Sequence, residues 1–178
     1  MPAQEPQARL EIRSARAEDA GALCEIFNEG VQDGLATFDA EPHTHEEQQL
    51  ELAKAAQDTR HAVLVGELGR WVLGWSAVEP CGGRAALEGV GQVTVYVRRS
   101  FRKHGVGKQL MRAAQAEAAK LGYRKLIGYV LAENADSLRL CWSTGFREIG
   151  RMKQHARIGD ALRDVVLVEC QVPELPAQ

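Results

Sequence analysis

The stretch Arg102-Lys103-His104-Gly105-Val106-Gly107-Lys108 combines cationic side chains with two glycines one residue apart. An apolar run, Val93-Thr94-Val95-Tyr96-Val97, precedes it. Apolar residues at Leu110, Met111, Ala114, Ala118 and Leu121 follow at helical spacing. Strand, Gly-x-Gly, helix is an arrangement that can hold phosphate. The first turn of a helix carries N–H groups with no internal partner, and the helix dipole makes that end positive. Glycine lets the backbone approach an anion closely because no Cβ intrudes, and Arg102 and Lys103 add charge. The spacing is not that of a P-loop, which separates its glycines by four residues and ends in Gly-Lys-Ser/Thr. It also lacks the third glycine of a dinucleotide fingerprint, since Leu110 stands at that position.

The elements around this loop are legible from pattern. Leu10 and Ile12 alternate with charges, which predicts a first strand near 9–13. Ala20, Leu23, Phe27 and Val31 fall at helical spacing, with Glu18 and Asp19 favourable near the helix start. After a loop through Gly34 to Pro42, Thr44-x-x-Glu47 is a capping-box signature for a second helix to about Gln57. Residues 62–66 and 71–75 flank Leu68-Gly69-Arg70 and read as a hairpin. Pro80 to Arg84 is a flexible loop before the Val93–Val97 strand. Lys125 to Val130 is a strand, Asn134 to Thr144 a short helix stopped by Gly145, and 146–156 with 161–170 a closing hairpin. The sum is one α+β domain with a mixed, mainly antiparallel sheet.

Composition narrows the class. The chain has 178 residues, enough for one domain with a real core, and its 45% apolar and 26% charged content is that of an ordinary soluble protein. A net charge of −2 argues against a nucleic-acid partner. Apolar runs fall short of the roughly 18–20 residues that span a bilayer, so no membrane association is expected. Met1 to Pro6 lacks the basic and apolar regions of a signal peptide. Cys24, Cys81, Cys141 and Cys170 are widely spaced, so neither a metal site nor a disulfide framework is expected. A cytoplasmic protein is the default reading. Residues 1–8 read as a flexible arm, 9–170 as the domain and 171–178 as a tail.

Arg-x-x-Gly-x-Gly after Val-Tyr-Val resembles the acetyl-CoA pyrophosphate loop of the GNAT acyltransferases. A second segment, from Asn134 through Ser137, Leu140 and Cys141 to Gly145-Phe146, resembles that superfamily's Asn-x-x-Ser/Ala-x-x-Leu-Tyr-x-x-x-Gly-Phe, in the right order and at a suitable separation. Within the superfamily the chain is similar to the phosphinothricin and methionine sulfoximine N-acetyltransferase branch, through Cys24–Val31, Thr37-Phe38-Asp39 to Pro42, and Val95–Val97. His155 to Val166 resembles the arsinothricin N-acetyltransferase relatives. The resemblance implies a GNAT fold: a mixed, mainly antiparallel twisted sheet of about seven strands flanked by about four helices, with splayed central strands that bind acetyl-CoA. It implies acetylation of the α-amine of a small amino-acid-like toxin, giving resistance, by a homodimer that needs no metal. Acetylation of a peptide N-terminus or another small amine, and a non-catalytic CoA-binding regulatory domain, are the competing readings.

By that resemblance, Val95, Tyr96 and Val97 would pair the pantetheine amides, and a free N–H there would stabilise the oxyanion. Lys103, His104, Gly105, Val106, Gly107 and Lys108 would surround the pyrophosphate, with Arg102 nearby, and Asn134 would reach the pantetheine or its phosphate end. Arg84 would bind the substrate's anionic group bidentately. Thr37, Phe38, Val93 and Thr94 would line its site. The branch carries Glu, the presumed general base, where this chain has Gln92, and a neutral amide cannot serve as a carboxylate does. Either water suffices, or Glu29 or Glu88 substitutes. Many GNATs protonate the departing thiolate from a Tyr at the position of Cys141. A thiol with an ordinary pKa of about 8.5 could donate, but a small packed residue is the favoured reading.

Overall fold

The computed structural model describes residues 9–173. The proposed arm, 1–8, and the end of the proposed tail, 174–178, lie outside the described residues. In chain order the elements are β1 (Glu11–Ser14), α1 (Ala20–Asp33), α2 (His45–Gln57), β2 (Ala62–Leu68), β3 (Trp71–Pro80), β4 (Val90–Val97), α3 (Val106–Lys120), β5 (Lys125–Leu131), α4 (Ala135–Ser143), β6 (Arg147–Ile158) and β7 (Ala161–Gln171). The seven strands form one sheet in the order β1-β2-β3-β4-β5-β7-β6. Every neighbouring pair is antiparallel except β4 with β5. This is the α+β architecture that the sequence pattern predicts. Several boundaries differ, and β3 runs to Pro80 rather than stopping at Trp75. β4 starts at Val90 rather than Val93, and β7 runs through Gln171 to a buried Val172, so these two positions belong to the packed body rather than to a tail.

Local chemistry accounts for the helix ends. The Thr44 hydroxyl accepts from the Glu47 N–H while the Glu47 carboxylate accepts from the Thr44 N–H, the reciprocal capping box that starts α2. The Asn134 side-chain oxygen accepts from the Ser137 N–H and starts α4. α1 stops where Gly34 turns left-handed, at φ 67°.

The helices cover both faces of the sheet. α1 and α2 pack Leu23, Ile26, Phe27 and Leu52 against Val65, Val72 and Trp75. On the opposite face, α3 and α4 pack Met111, Ala114, Leu138 and Cys141 against Val78, Val93, Leu126 and Val168. Successive side chains on a strand point to opposite faces, so β4 is divided between the two layers. Val93 and Val95 join the α3 layer, and Tyr96 joins the α1 layer. At Gly74 of β3 the chain needs a residue without Cβ: one placed there would lie 2.7 Å from the Tyr96 carbonyl oxygen and 2.9 Å from Leu110.

One break in the sheet positions the site. β4 and β5 pair only from Val90–Gln92 to Lys125–Ile127. Beyond Gln92, β4 stays on β3 and β5 continues with β7. A wedge therefore opens between two adjacent, parallel strands.

Candidate active site

The wedge holds two connected cavities. The open trough, about 570 Å³, runs from Val95–Val97 past Arg102, Lys103, Gly105, Gly107 and Lys108. That size lies within the usual range of small-molecule sites. The narrow chamber, about 110 Å³, is lined by Thr37, Phe38, Gln92, Val93, Thr94 and Cys141 among others. Leu35, Ala36, Val95, Tyr96, Asn134, Ser137 and Leu140 are common to both. The Asn134 amide donates to the Leu35 carbonyl at 2.8 Å, so a hydrogen bond ties the α1–α2 loop to the start of α4 at this junction.

The backbone of β4 offers polar groups to the gap. The Arg98 N–H, one residue past the strand, donates to the Leu73 carbonyl on the β3 side. Backbone groups alternate sides along a strand, so Tyr96 and Thr94 also point toward β3. Those of Val95 and Val97 point into the wedge, where β5 no longer pairs with them. The Val97 carbonyl there accepts from Arg102 Nε at 3.1 Å. Tyr96 thus presents its ring rather than its backbone. The ring packs against Trp75 and Phe27, at centroid distances of 4.7 and 5.3 Å, and burial pushes its phenol up to about 12 with Thr37 beside it.

The loop after β4 forms a positive cradle. Lys103 and Gly105 both adopt left-handed backbone, at φ 64° and 84°, and Gly105 opens α3. Such turns aim successive N–H groups at one point. The first N–H-to-carbonyl bond of α3 runs from Gln109 to Gly105, which leaves the N–H groups of Val106, Gly107 and Lys108 for an anion. A Cβ at Gly107 would touch Leu140 and Val97 at 3.3 and 3.4 Å, so the helix start approaches the trough wall closely. Val106 turns its side chain into the core with Leu110 and can offer only backbone, while exposed His104 holds Nδ1 2.8 Å from the Arg102 carbonyl.

Several residues named from the sequence are placed differently. The Arg102 guanidinium is ion-paired with Asp33 as well as bonded to Val97, so it clamps α1 to the loop rather than reaching freely for phosphate. Burial raises Asp33, but bonds from Arg102 and Arg99 outweigh it and hold the carboxylate below its ordinary range. Lys103, 3.6 Å from Asp136, remains largely exposed at the trough rim. Glu29 lies outside the lining: its carboxylate accepts from the Arg99 N–H and lies 3.9 Å from Arg98, which caps the turn that leaves β4. Glu88 and Arg84 are exposed at the ends of a short 3-10 turn and line neither cavity.

Cys141 does line the chamber, yet it packs in the α3 layer. Burial, with Cys170 close by, pushes its thiol up to about 11. That makes it a weaker acid than an ordinary thiol of about 8.5, so a proton would move from Cys141 to a departing thiolate only uphill. Among the chamber residues that sequence reasoning passed over are Tyr129 on β5 and Ser137 and Leu140 on α4. Leu140 stood within a recognised segment, while Tyr129 carried no signal beyond a strand pattern. Asn28, likewise missed, bonds both the N–H and the carbonyl of His43 at 2.8 Å and fixes the loop that brings Thr37 to the chamber. Glu79 pairs directly with Gln92 across β3 and β4, a relation that only strand register reveals.

A sheet split beside a glycine-bounded helix start is the arrangement that the resemblance implied, and comparison agrees. The chain belongs to the acetyltransferase (GNAT) family, whose model matches residues 23–146. It is an N-acetyltransferase of that family, whose members use acetyl-CoA. It is 29% identical over 149 residues to a phosphinothricin N-acetyltransferase of Streptomyces viridochromogenes, covering 83% of this chain and 80% of the relative. It is 25% identical over 165 residues to an L-methionine sulfoximine/L-methionine sulfone acetyltransferase of Salmonella typhimurium, covering 93% and 96%. In fold it matches a phosphinothricin acetyltransferase from Sinorhizobium meliloti solved in complex with acetyl-CoA, with a TM-score of 0.85 at 22% identity over 92% of this chain and 88% of that one.

Proposed function

We propose that this protein transfers the acetyl group of acetyl-CoA to the α-amine of a small amino-acid-like toxin of the phosphinothricin, methionine sulfoximine or arsinothricin type, and so confers resistance. The observation that carries the reading is the wedge itself. Its trough ends at the unpaired N–H groups of α3, and its narrow chamber of about 110 Å³ suits a compact acceptor. Acetyl-CoA supplies the activated acetyl group. The residues proposed to hold it are Val95 and Val97 through strand N–H groups that β5 leaves unpaired, and Lys103, Gly105, Gly107 and Lys108 around the pyrophosphate. A free strand N–H would also polarise the acetyl carbonyl, where a fixed donor typically contributes about 10²–10³-fold. Thr37, Phe38 and Thr94 would shape the acceptor end, and the Leu35–Asn134 bond would hold the two halves in register.

The proposed enzyme acts in the cytoplasm as a homodimer. β6 is an edge strand and exposes Ile149, with Leu162 exposed on the adjoining β7, which supports the closing hairpin as the shared surface. The test is release of free thiol from acetyl-CoA over a panel of amines that includes phosphinothricin, methionine sulfoximine, arsinothricin and short peptides. The amino-acid toxins should give the highest kcat/KM. Preference for peptide N-termini would overturn the substrate assignment, and acetyl-CoA binding without turnover on any amine would overturn catalysis.

A further inference from the structure

An amine that reaches the chamber as an ammonium must lose a proton before its nitrogen can attack, and the side chain at position 92 is an amide. We infer that Glu79 is the proton acceptor, working from β3 across the strand pair and through water. This rests on the acetyl-transfer function proposed above and names the base for it.

Position comes first. Glu79 and Gln92 are direct partners in the β3–β4 ladder, as are Ala77 with Thr94 and Trp75 with Tyr96. Direct partners share a face of the sheet, with Cβ atoms about 4.5–5.5 Å apart. Glu79 therefore lies on the face that carries Thr94 and Tyr96. Gln92 and Thr94 line the chamber, and Gln92 is the last β4 residue paired with β5, so the wedge opens beside it. Glu79 stands one strand behind that lining. Its carboxylate can take a proton relayed by water lying against Gln92, whose amide can both donate and accept hydrogen bonds and so orient that water.

Three other carboxylates are less available. Glu29 is bound to the Arg99 N–H beside Arg98, Asp33 is held by Arg99 and Arg102, and Glu88 sits on an exposed turn outside the lining. Among the described residues Glu79 has no cation within ion-pair distance, although it is half-buried. The groups facing this region are mostly acidic. Asp39 from the α1–α2 loop, Glu51 from α2 and Glu79 all bear on the Tyr96 phenol, with His43 stacked behind Phe27. On the other side Glu79 acts with Asp58 and Arg60 on Tyr123. Such a surround attracts an incoming ammonium.

The step balances simply. The ammonium gives one proton to Glu79 through water. The freed amine forms the N–C bond to the acetyl carbon while the C–S bond breaks. The electron pair of that bond leaves on the CoA sulfur, which takes up the second amine proton to become the free thiol. Glu79 then returns its proton to solvent.

Four proteins test the inference by kcat/KM against pH: wild type, Glu79→Gln, Gln92→Glu and the double variant. A positioned proton acceptor typically contributes about 10²–10⁴-fold, so Glu79→Gln should lose at least about 100-fold near neutral pH. The deficit should shrink as pH rises and the free amine becomes abundant, while acetyl-CoA affinity stays within about twofold. Adding Gln92→Glu to Glu79→Gln should return most of the activity, because it places a carboxylate on the partner position of the same ladder. A Glu79→Gln enzyme within about threefold of wild type, a deficit that is equal at every pH, or a double variant with no recovery overturns the inference and leaves the acetyl-transfer reading intact. Wild-type protein that turns over no amine overturns both.

Discussion

The trough takes Arg102, Lys103, Gly105, Gly107 and Lys108 from a single stretch of chain, whereas the chamber beside it draws Thr37, Gln92, Tyr129, Asn134 and Cys141 from elements spread between α1 and α4. The anion cradle of the first is a local object, although the trough's other walls come from α1, the loop after it and α4. A left-handed pair of residues, a helix start and a strand end make it, and few distant contacts are needed to form its N–H cradle. The second exists only because β4 and β5 part after Gln92 and because Asn28 and Asn134 tie a loop across the opening. A contiguous anion cradle is therefore sensitive to single backbone changes, while an assembled chamber is sensitive to packing far from the ligand.

The sharpest way to separate the two is Gly107→Val. A branched side chain would have to share space with Leu140 and Val97 at the trough wall. Acetyl-CoA binding measured by calorimetry should weaken by at least about 100-fold, some 2.7 kcal/mol, in a protein that remains folded. Unchanged affinity would detach the trough from acetyl-CoA. Gly105→Ala is a poorer probe: a Cβ there meets open space, and the φ of 84° strains any side chain whether or not an anion binds.

Tyr96→Ala should act mainly on the chamber, although the ring also borders the trough. Truncating a fully buried aromatic costs about 3–5 kcal/mol, and Tyr96 is only half-buried, so a loss on the order of 2–3 kcal/mol in denaturant unfolding is expected. KM for the amine should rise while acetyl-CoA affinity changes less. An equal loss in both would mean that the two cavities do not behave as separate sites.

Asp33→Asn probes the clamp between α1 and the loop after β4 at lower cost. The folded pKa of Asp33 is depressed by Arg102 and Arg99, so its stabilisation is complete above the unfolded value near 4 and fades as pH falls through the folded value. The Tm of wild type should therefore drop more steeply than that of Asp33→Asn as pH is lowered from about 5 to 3. Parallel curves would remove the ion pair from the account. Cys141→Ala should have the smallest catalytic effect: kcat within about threefold of wild type, and a packing loss of about 1 kcal/mol. A drop of 100-fold with acetyl-CoA binding intact would make the thiol a proton donor after all.

What the sequence determined by itself was whatever depends on residues close together in the chain. Thr44 with Glu47 announced one helix start and Asn134 stood at another, and the structure closes a cap at each. Val93–Val97 followed by Gly105 and Gly107 announced a strand, a turn and an anion-binding helix end, and those conformations follow from local sterics and unpaired N–H groups. Tertiary structure decided which charges remained available. Arg102 looked like a phosphate ligand until Asp33, 69 residues away, engaged it, and Glu29 looked like a spare base until the Arg99 N–H, 70 residues away, took its carboxylate. Tyr96 was expected to offer backbone, but strand alternation turned that backbone to β3 and left the ring to the chamber. The Glu79–Gln92 partnership was likewise invisible, because register is set by how whole strands bury their faces and not by either residue's neighbours. Ion pairs and cross-strand partners are chosen by the folded surface as a whole, and a linear pattern holds no record of that choice.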